Sequence, residues 1–273
     1  MRLQLFPGQR VTPRMLAIFL ALFLLAAEVP TPSPPSEVVI LATVHAPTRY
    51  YPEARLAEIL ARAKPDLVLL ELDPSFFDAQ GNLKKEWESV SLETKVAVAY
   101  AKGTGARLRP YDIEGRNAFF QENDYFAKER KLDQEVRRLH DAGQLSPEAD
   151  QLFQGLLALS AVRDACGGEG PEVLNSAPCD TAIEKKHVYG FQGLRKIVAL
   201  TPALKGMAPF ASLADTFWVR RNAAMVSNVV KLTKELRPRR ALVLAGFEHR
   251  SILRQQLAEQ AARDGFVLRE FWE

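Results

Sequence analysis

The sequence contains few residues of the kinds that usually carry chemistry. Only two cysteines and four histidines occur among its 273 residues. No serine-nucleophile motif is present, and Gly103-Thr-Gly105 lacks the rest of any phosphate-binding glycine fingerprint. Internal repeats are also absent, and the only low-complexity tract is a proline-rich stretch over residues 30–35. The sequence therefore indicates neither a serine hydrolase nor a nucleotide-binding loop, and its few histidines are the first candidates for a functional site.

The chain also lacks an excess of charge of either sign. Its formal charge of +3 arises from Arg2, Arg10 and Arg14 near the amino terminus. Without these three residues, the chain has 33 basic and 33 acidic residues. A nucleic-acid-binding face needs a much stronger asymmetry, so the pI of about 8.8 does not predict a nucleic-acid partner.

Long apolar runs are missing as well. Residues 15–27 form an uncharged apolar run that is too short to span a bilayer core of about 30 Å. This run follows a basic stretch and ends in small residues, which is typical of a secretory signal peptide. We expect residues 1–27 to be a signal peptide and residues 28–36 a proline-rich linker. The mature protein would then begin near Glu28, be periplasmic or secreted, and have no stable membrane insertion; an uncleaved anchor is the alternative.

The two cysteines, Cys166 and Cys179, bracket a glycine-rich stretch, Gly167-Gly-Glu-Gly-Pro171, that predicts a loop. In an exported protein, an even pair of cysteines around a loop favours a disulfide. Closing a loop of this size would stabilise the fold by roughly 3 kcal/mol in the chain-entropy model. Metal binding by the two thiols has less support, because neither a Cys-x-x-Cys motif nor a neighbouring histidine accompanies them.

The overall composition, 47% hydrophobic and 25% charged, fits one globular domain over residues 37–273. Short runs rich in Val, Ile and Leu alternate with helical patterns, which predicts strands buried on both faces and right-handed crossovers. The predicted fold class is therefore α/β, a mainly parallel sheet flanked by helices. The predicted strands cover residues 37–45, 67–73, 107–113, 241–245 and 266–271, and the helices near them cover residues 52–64, 92–102, 210–236 and 251–263.

A segment of different character separates the two β-rich halves, from about residue 116 to residue 207. Leu132, Val136 and Leu139 recur at helical spacing. Ser146-Pro147 offers a helix N-cap followed by a proline at the first helical position. We expect a helical insertion that carries the cysteine loop.

The four histidines fall into two pairs. His140 and His187 lie in the insertion, where we expect the first on the surface and the second in a loop, both without a role. His45 and His249 instead each follow a strand-like run, near opposite ends of the domain. Open α/β sheets bind ligands beyond the carboxyl ends of their strands. Two imidazoles placed there predict one shared site, and histidines with purely structural hydrogen bonds are the alternative.

Charged residues near the strand ends complete the candidate site. Glu71 lies within an otherwise apolar predicted strand, where an unpaired carboxylate would be costly to bury, so it needs a cation, a metal or water. Asp112 and Glu248 lie at the ends of two further strands and would reach the same edge of the sheet. Arg221 lies on the apolar face of the long predicted helix, and a buried guanidinium needs an anionic partner.

Four short motifs in the two β-rich halves belong together. They are Ala42-Thr-Val-His45, Lys64-Pro-Asp-Leu-Val-Leu-Leu-Glu71, Arg221-Asn222-Ala-Ala-Met225 and Gly246-Phe-Glu-His249. In order and spacing they resemble the TraB/Tiki/GumN superfamily, which also includes erythromycin esterases and ChaN-like haem-binding proteins. The resemblance implies an α/β fold with a cleft between two β-rich halves. Ala42 stands where the family's first motif has glycine, a residue that permits close backbone approach or a positive φ. The insertion resembles no family.

The resemblance implies a hydrolase that cleaves an amide (peptide) or ester bond. We expect a divalent metal, Mn²⁺, Co²⁺ or Zn²⁺, to activate water, with Arg221 holding the substrate or the developing anion. Without a metal, His45 would act as a general base oriented by Glu71. The rival interpretation is a non-enzymatic protein that binds haem, a metal or a peptide signal in the same cleft. The expected catalytic residues are His45, Glu71, Arg221 and His249, and the expected metal ligands are His45, Glu71, His249, Glu248 and Asp112.

Overall fold

The computed structural model describes residues 34–273, so the predicted signal peptide and most of the predicted linker lie outside the described residues. Its centre is a five-stranded parallel sheet with the strand order β3-β2-β4-β1-β5. The predicted α/β fold class is thereby confirmed. The strands are β1 (Ser36–Thr43), β2 (Leu67–Leu70), β3 (Arg107–Pro110), β4 (Arg240–Gly246) and β5 (Phe266–Arg269).

Helices cover the sheet and form the insertion. Three short 3₁₀ segments lie between them, at Pro74–Phe76, Lys85–Trp87 and Pro202–Met207. None of the helices in residues 34–273 combines the length and apolarity that a membrane crossing requires. The α-helices of this part of the chain are α1 (Glu53–Ala63), α2 (Leu92–Thr104), α3 (Arg116–Glu122), α4 (Tyr125–Asp141), α5 (Pro147–Gly167), α6 (Pro171–Leu174), α7 (Ala177–Leu200), α8 (Ala208–Leu236) and α9 (Phe247–Asp264).

The central strands are buried on both faces because helices pack against each side. On one face, Leu56 of α1 and Val96 of α2 belong to the core that covers the sheet. On the other face, Val229 of α8 and Leu253 of α9 do the same. Each buried aliphatic side chain of this size contributes about 1.5–3 kcal/mol through removal of apolar surface from water. The apolar strands and these helices therefore supply the stability, and the strand ends are free to carry polar groups.

Local sequence features set the helix boundaries next to the sheet. α1 follows Pro52 and ends at Lys64, which adopts the left-handed conformation with φ 48°. α2 begins at an N-cap, Ser91, whose side chain accepts a hydrogen bond from the amide of Thr94. It ends at Gly105, whose φ of 77° favours glycine.

The insertion is helical, as expected, and has a core of its own that includes Leu132, Val136 and Phe153. A disulfide joins Cys166, near the end of α5, to Cys179, in the first turn of α7, so the predicted bond is present. The expectation of a loop between the cysteines is only partly correct, because α6 occupies the middle of that segment.

Several predicted boundaries are wrong. The ladder between β2 and β3 ends at the pair Leu70 and Pro110, because the chain turns after Leu70, where the amide of Leu72 donates to the carbonyl of Leu70 at 2.7 Å. Glu71 therefore lies just beyond β2 rather than within it. α9 begins directly after β4, so Glu248 and His249 lie on its first turn.

The two histidines of the insertion also differ from expectation. His187 lies within α7 and not in a loop, and only 11% of its side chain is exposed. His140 is half-buried on α4, with Nδ1 2.5 Å from Oδ1 of Asp150. Both differences have the same physical reason, because each histidine is on the inward side of a helix that packs within the insertion.

Candidate active site

The candidate site lies at the carboxyl edge of the sheet. β2, β4 and β1 are adjacent and parallel, so their carboxyl ends meet at this edge. Glu71 follows β2, Gly246 ends β4, and His45 follows β1. The topology therefore brings together residues that are far apart in the sequence.

Glu71 is the buried carboxylate at the centre of the site, with 8% of its side chain exposed. Its Oε1 accepts a hydrogen bond from Nη2 of Arg221 at 2.6 Å, and its Oε2 accepts one from the amide of Gly246 at 2.7 Å. Burial opposes the charge, but His249, Arg221 and the Gly246 amide together hold the pKa of Glu71 below its ordinary value. Because His249 is itself kept neutral at neutral pH, Arg221 is the cation that matters most there.

Arg221 extends from α8 between two carboxylates. Besides Glu71, it binds Asp112 at two points, from Nε to Oδ1 at 2.9 Å and from Nη2 to Oδ2 at 2.8 Å. Asp112 has no exposed surface and also accepts hydrogen bonds from Arg116 and from the amide of Ile113. Burial lowers the pKa of Arg221, but the two carboxylates outweigh this effect and raise it. These hydrogen bonds use Nε and Nη2, and among residues 34–273 the Nη1 group of Arg221 has no acceptor.

His45 is paired with Glu93, a residue that the sequence analysis did not identify. Nδ1 of His45 lies 3.0 Å from Oε1 of Glu93, and the hydroxyl of Thr43 donates to the same oxygen at 2.7 Å. The hydrogen bond to Glu93 raises the pKa of His45, against an opposing effect of burial. Burial opposes ionisation of Glu93, but the hydrogen bonds from His45 and Thr43 lower its pKa. Because an ionised Glu93 only accepts, the neutral His45 ring carries its proton on Nδ1 and keeps the lone pair on Nε2.

His249 lies behind Glu71 and is 4% exposed. Its Nε2 is 3.6 Å from Oε1 of Glu71, and its Nδ1 is 2.8 Å from Oδ1 of Asn222. Its ring stacks on Trp218, with 4.4 Å between the ring centroids. Burial lowers the pKa of His249 to about 4 against the attraction of Glu71, so the ring is neutral at neutral pH.

Gly246 allows His45 and Glu71 to approach one backbone position. A Cβ atom on Gly246 would lie 3.1 Å from Nε2 of His45 and 3.2 Å from Oε2 of Glu71. Its φ of −50° is open to any residue, so the requirement for glycine is steric. Ala42, by contrast, lies inside β1 with a negative φ, and the glycine of the family's first motif is not needed there.

A cavity of about 480 Å³ opens above these groups. His45, Glu71, Glu93 and Arg221 lie on its polar side. His249 is not among the described residues that line this cavity, but its Nε2 lies 3.6 Å from Oε1 of Glu71, which does line it. The apolar side of the cavity is formed by Leu70, Leu72, Phe76, Val90, Phe120, Phe126 and Leu244.

Glu248 does not join the other expected metal ligands. It faces the insertion, where Oε1 lies 2.6 Å from Nη2 of Arg163 and Oε2 lies 2.9 Å from Nζ of Lys186. Oε2 also lies 3.0 Å from Nε2 of His187. Burial raises the pKa of Glu248, but His187 and Lys186 lower it far more. Glu248 lies on the first turn of α9, which directs its side chain toward the insertion and away from Glu71.

The remaining expected ligands do not fit a metal in this arrangement. Both oxygens of Glu71 and both oxygens of Asp112 are engaged by Arg221, Arg116 or backbone amides. A dication at this point would lie against the guanidinium of Arg221, which repels it. Within residues 34–273, no three His, Cys, Asp or Glu side chains are grouped so as to hold a metal ion.

Glu93 was not predicted as a site residue, because an acidic residue is common at its position in a helix. It lies in the first turn of α2, after the N-cap Ser91, where an acidic residue is favoured by the helix dipole. Asn222 lies in the motif that begins at Arg221, but only the fold shows that its Oδ1 binds Nδ1 of His249. Trp218 and Arg116 had no sequence feature that distinguished them from their neighbours.

Comparison with models of known families, with curated proteins and with solved structures found no match to this chain. The resemblance to the TraB/Tiki/GumN superfamily therefore stays an interpretation of four short motifs.

Proposed function

We propose that this protein is a hydrolase that cleaves an ester or amide bond, with His45 as general base and Arg221 as the group that stabilises negative charge. The observation that carries this proposal is the pairing of His45 with Glu93 in the cavity that Arg221 also lines. A base oriented by a carboxylate, next to an unengaged donor, is the arrangement that attack of water on a carbonyl requires.

The proposed reaction uses the chain's own residues. Nε2 of His45 takes a proton from water as the water oxygen bonds to the carbonyl carbon of the substrate. Negative charge develops on the carbonyl oxygen, to which Nη1 of Arg221 can donate a hydrogen bond. The tetrahedral intermediate collapses, the bond to the leaving nitrogen or oxygen breaks, and the imidazolium returns its proton to that leaving group.

Glu71 and His249 support this reaction indirectly. Glu71 and Asp112 hold the guanidinium of Arg221 from two sides, which fixes the direction of its free Nη1 group. His249 and the amide of Gly246 occupy the other approaches to Glu71. In this proposal, Glu93 rather than Glu71 orients His45, and no step depends on a metal.

Hydrolysis of a panel of aryl esters and anilides by the purified protein tests the proposal. We expect His45→Asn and Glu93→Gln to lower kcat/KM by about 10²–10⁴-fold, the usual contribution of a positioned general base. The matched control is His140→Asn, which removes another carboxylate-paired histidine outside the cavity and should leave kcat/KM unchanged. Equal loss in all three variants, or no loss in any, would contradict the assignment.

The binding-protein interpretation predicts different results. Protein purified without added haem would then show a Soret band, or would bind haem tightly while hydrolysing nothing. A metal content near one equivalent in protein purified without an affinity metal would restore the metal-dependent interpretation, which the present donor arrangement does not favour.

We also propose that the protein is exported. The disulfide between Cys166 and Cys179 supports this, because such bonds persist mainly in oxidising compartments. Intact-mass measurement of protein from the exported fraction should give a chain that begins near Glu28. A retained Met1 would instead indicate an uncleaved anchor.

A further inference from the structure

The last residues of β1 have a neighbouring strand on only one side. β4 pairs with β1 as far as Thr43, whereas β5 pairs only with the first half of β1, up to Val39. The side chain of Asn175 occupies the open side. Its Oδ1 accepts a hydrogen bond from the amide of Ala42 at 2.7 Å, and its Nδ2 donates to the carbonyl of Ala42 at 3.2 Å. Asn175 thus replaces a missing strand at the position where the first histidine motif begins.

Asn175 is itself tightly held. It is 1% exposed, and its Nδ2 also donates to the carbonyl of Pro171 at 2.9 Å. It lies between Cys166 and Cys179, which the disulfide joins across a sequence separation of 13 residues. The covalent bond therefore limits how far the segment that carries Asn175 can move from β1.

The same disulfide-bonded region contacts the second histidine motif. A Cβ atom on Gly167 would lie 3.2 Å from the ring of Phe247, so the end of α5 packs closely against the start of α9. One turn earlier in α5, Nε of Arg163 donates to Oε1 of Glu248 at 2.7 Å. The region from Arg163 to Cys179 therefore contacts both chain segments that carry the site histidines.

We propose that Asn175 is a positioning residue for His45 and that the Cys166–Cys179 disulfide keeps Asn175 in place. Asn175 fixes Ala42, and the next residue, Thr43, donates its hydroxyl to the Glu93 oxygen that also binds His45. Loss of the Asn175 contacts would free the end of β1 and weaken the contact between His45 and Glu93. This inference rests on the proposed role of His45, but the geometry of the His45 ring can be measured without catalysis.

A dithiol reductant provides the redox arm of the test. Thiol–disulfide exchange breaks the Cys166–Cys179 bond, each sulfur takes up a hydrogen, and the reductant is oxidised to its cyclic disulfide. We expect the reduced protein to remain folded, because both faces of the sheet keep their apolar cores. The segment with Asn175 would then move more freely.

Two-bond ¹⁵N–¹H spectra of the histidine rings give the decisive measurement, because they report the tautomer of each ring. In the native protein, at a pH above the pKa of His45, this ring should show one tautomer with the proton on Nδ1. In Asn175→Ala, in Cys166→Ser/Cys179→Ser and in the reduced protein, this pattern should change toward a mixture of tautomers. Where the protein hydrolyses a test ester, kcat should fall on the order of tenfold or more in the same three samples, because misplacement of a base slows the reaction.

Asp66→Ala is the matched control. Asp66 also uses its side chain to hold strand backbone, accepting from the amides of Arg239 and Arg240 at 3.0 and 2.9 Å, but at the opposite end of the sheet. This variant should lose stability and yet keep the His45 tautomer pattern and kcat.

The outcomes separate the two proposals. A His45 pattern that is unchanged in Asn175→Ala and in the reduced protein would overturn the positioning role, whatever the activity. If Asn175→Ala does not fold, the reduced native protein still decides. A His45 pattern that responds as expected in a protein without hydrolytic activity would support the positioning role and refute the proposed function.

Discussion

Arg221 and Asp112 form a two-point ion pair between α8 and the chain that follows β3, with Nε–Oδ1 and Nη2–Oδ2 distances of 2.9 and 2.8 Å. Asp112 is fully buried and Arg221 is 12% exposed, so neither charge has much contact with water. Glu71 adds a second buried carboxylate to the same guanidinium. The three charges depend on one another, because removal of Arg221 would leave Glu71 buried without this cation and Asp112 with Arg116 as its remaining cation.

The first prediction concerns this dependence. Arg221→Met keeps most of the side-chain volume but removes the charge, and should lower the free energy of unfolding by about 3–5 kcal/mol. Urea denaturation at neutral pH measures the change. Arg195→Met removes the partner of Asp215 in a surface pair with 53% of the arginine side chain exposed, and should cost less than about 1 kcal/mol. Equal costs in the two variants would show that burial does not distinguish the pairs.

The second prediction concerns the pH dependence of hydrolysis. His45 acts as a base only when it is neutral, and Glu93 raises its pKa above the ordinary 6.5. The acid limb of kcat/KM should therefore lie above pH 6.5. Glu93→Gln removes the negative charge, so the limb should move to lower pH while the plateau falls. A limb that stays in place in Glu93→Gln would mean that another group controls it.

The sequence predicted the parts of the site that depend on strand ends. Short apolar runs before His45 and His249 indicated buried parallel strands, which are present. At their carboxyl ends, His249 lies next to Glu71, and His45 and Glu71 both lie beside Gly246. For Glu71 the sequence left a cation, a metal or water open, and Arg221 is the cation present. For Arg221 the sequence predicted an anionic partner, which Glu71 and Asp112 provide. Which carboxylates pair with Arg221 was not predictable, since this depends on which strand ends lie nearest α8.

The errors concern residues whose role depends on helix position. Glu248 was grouped with His249 because the two are adjacent, but neighbours on a helix point in different directions. Glu93 resembled a helix-start acid, and its contact with His45 depends on how α2 crosses the end of β1. The role of Asn175 depends on the length of β5, which leaves one side of β1 open. These relationships are set by packing between distant segments, which periodicity does not report.

The third prediction concerns stability in acid. The pKa of His249 is about 4 in the folded protein, below its ordinary value of 6.5. Between these values the unfolded chain takes up a proton that the folded protein does not, so stability falls as the pH decreases from 6.5 to about 4 and then levels off for this group. Below about pH 4, this group lowers the free energy of unfolding by roughly 3 kcal/mol relative to its value at neutral pH.

Urea denaturation of the native protein and of His249→Gln across this range isolates the effect. Carboxylates with lowered pKa values, such as Glu71, also lose stabilisation in acid, but they do so in both proteins. The difference between the two proteins should narrow or reverse as the pH falls. A difference that is constant from pH 7 to pH 4 would mean that His249 titrates normally.

The last prediction concerns the close approach at Gly246. A Cβ there would lie 3.1 Å from Nε2 of His45 and 3.2 Å from Oε2 of Glu71, closer than most such contacts. Glu71 is fixed by Arg221 and by the Gly246 amide, whereas the side chain of His45 is 66% exposed and has room to move. The added methyl of Gly246→Ala should therefore displace the His45 ring rather than Glu71.

We expect Gly246→Ala to lower kcat/KM by on the order of tenfold, because misplacing a catalytic group by about 1 Å costs about 10²-fold and the contact requires the ring to move by only a few tenths of an ångström. Stability should change little, because the backbone at Gly246 has a φ of −50° that alanine also adopts. The control is Gly103→Ala on α2, where an added Cβ meets nothing within 4 Å. That variant should keep its activity and gain up to about 1 kcal/mol from the higher helix propensity of alanine. Full activity in Gly246→Ala would show that hydrolysis does not need Nε2 of His45 at its observed position.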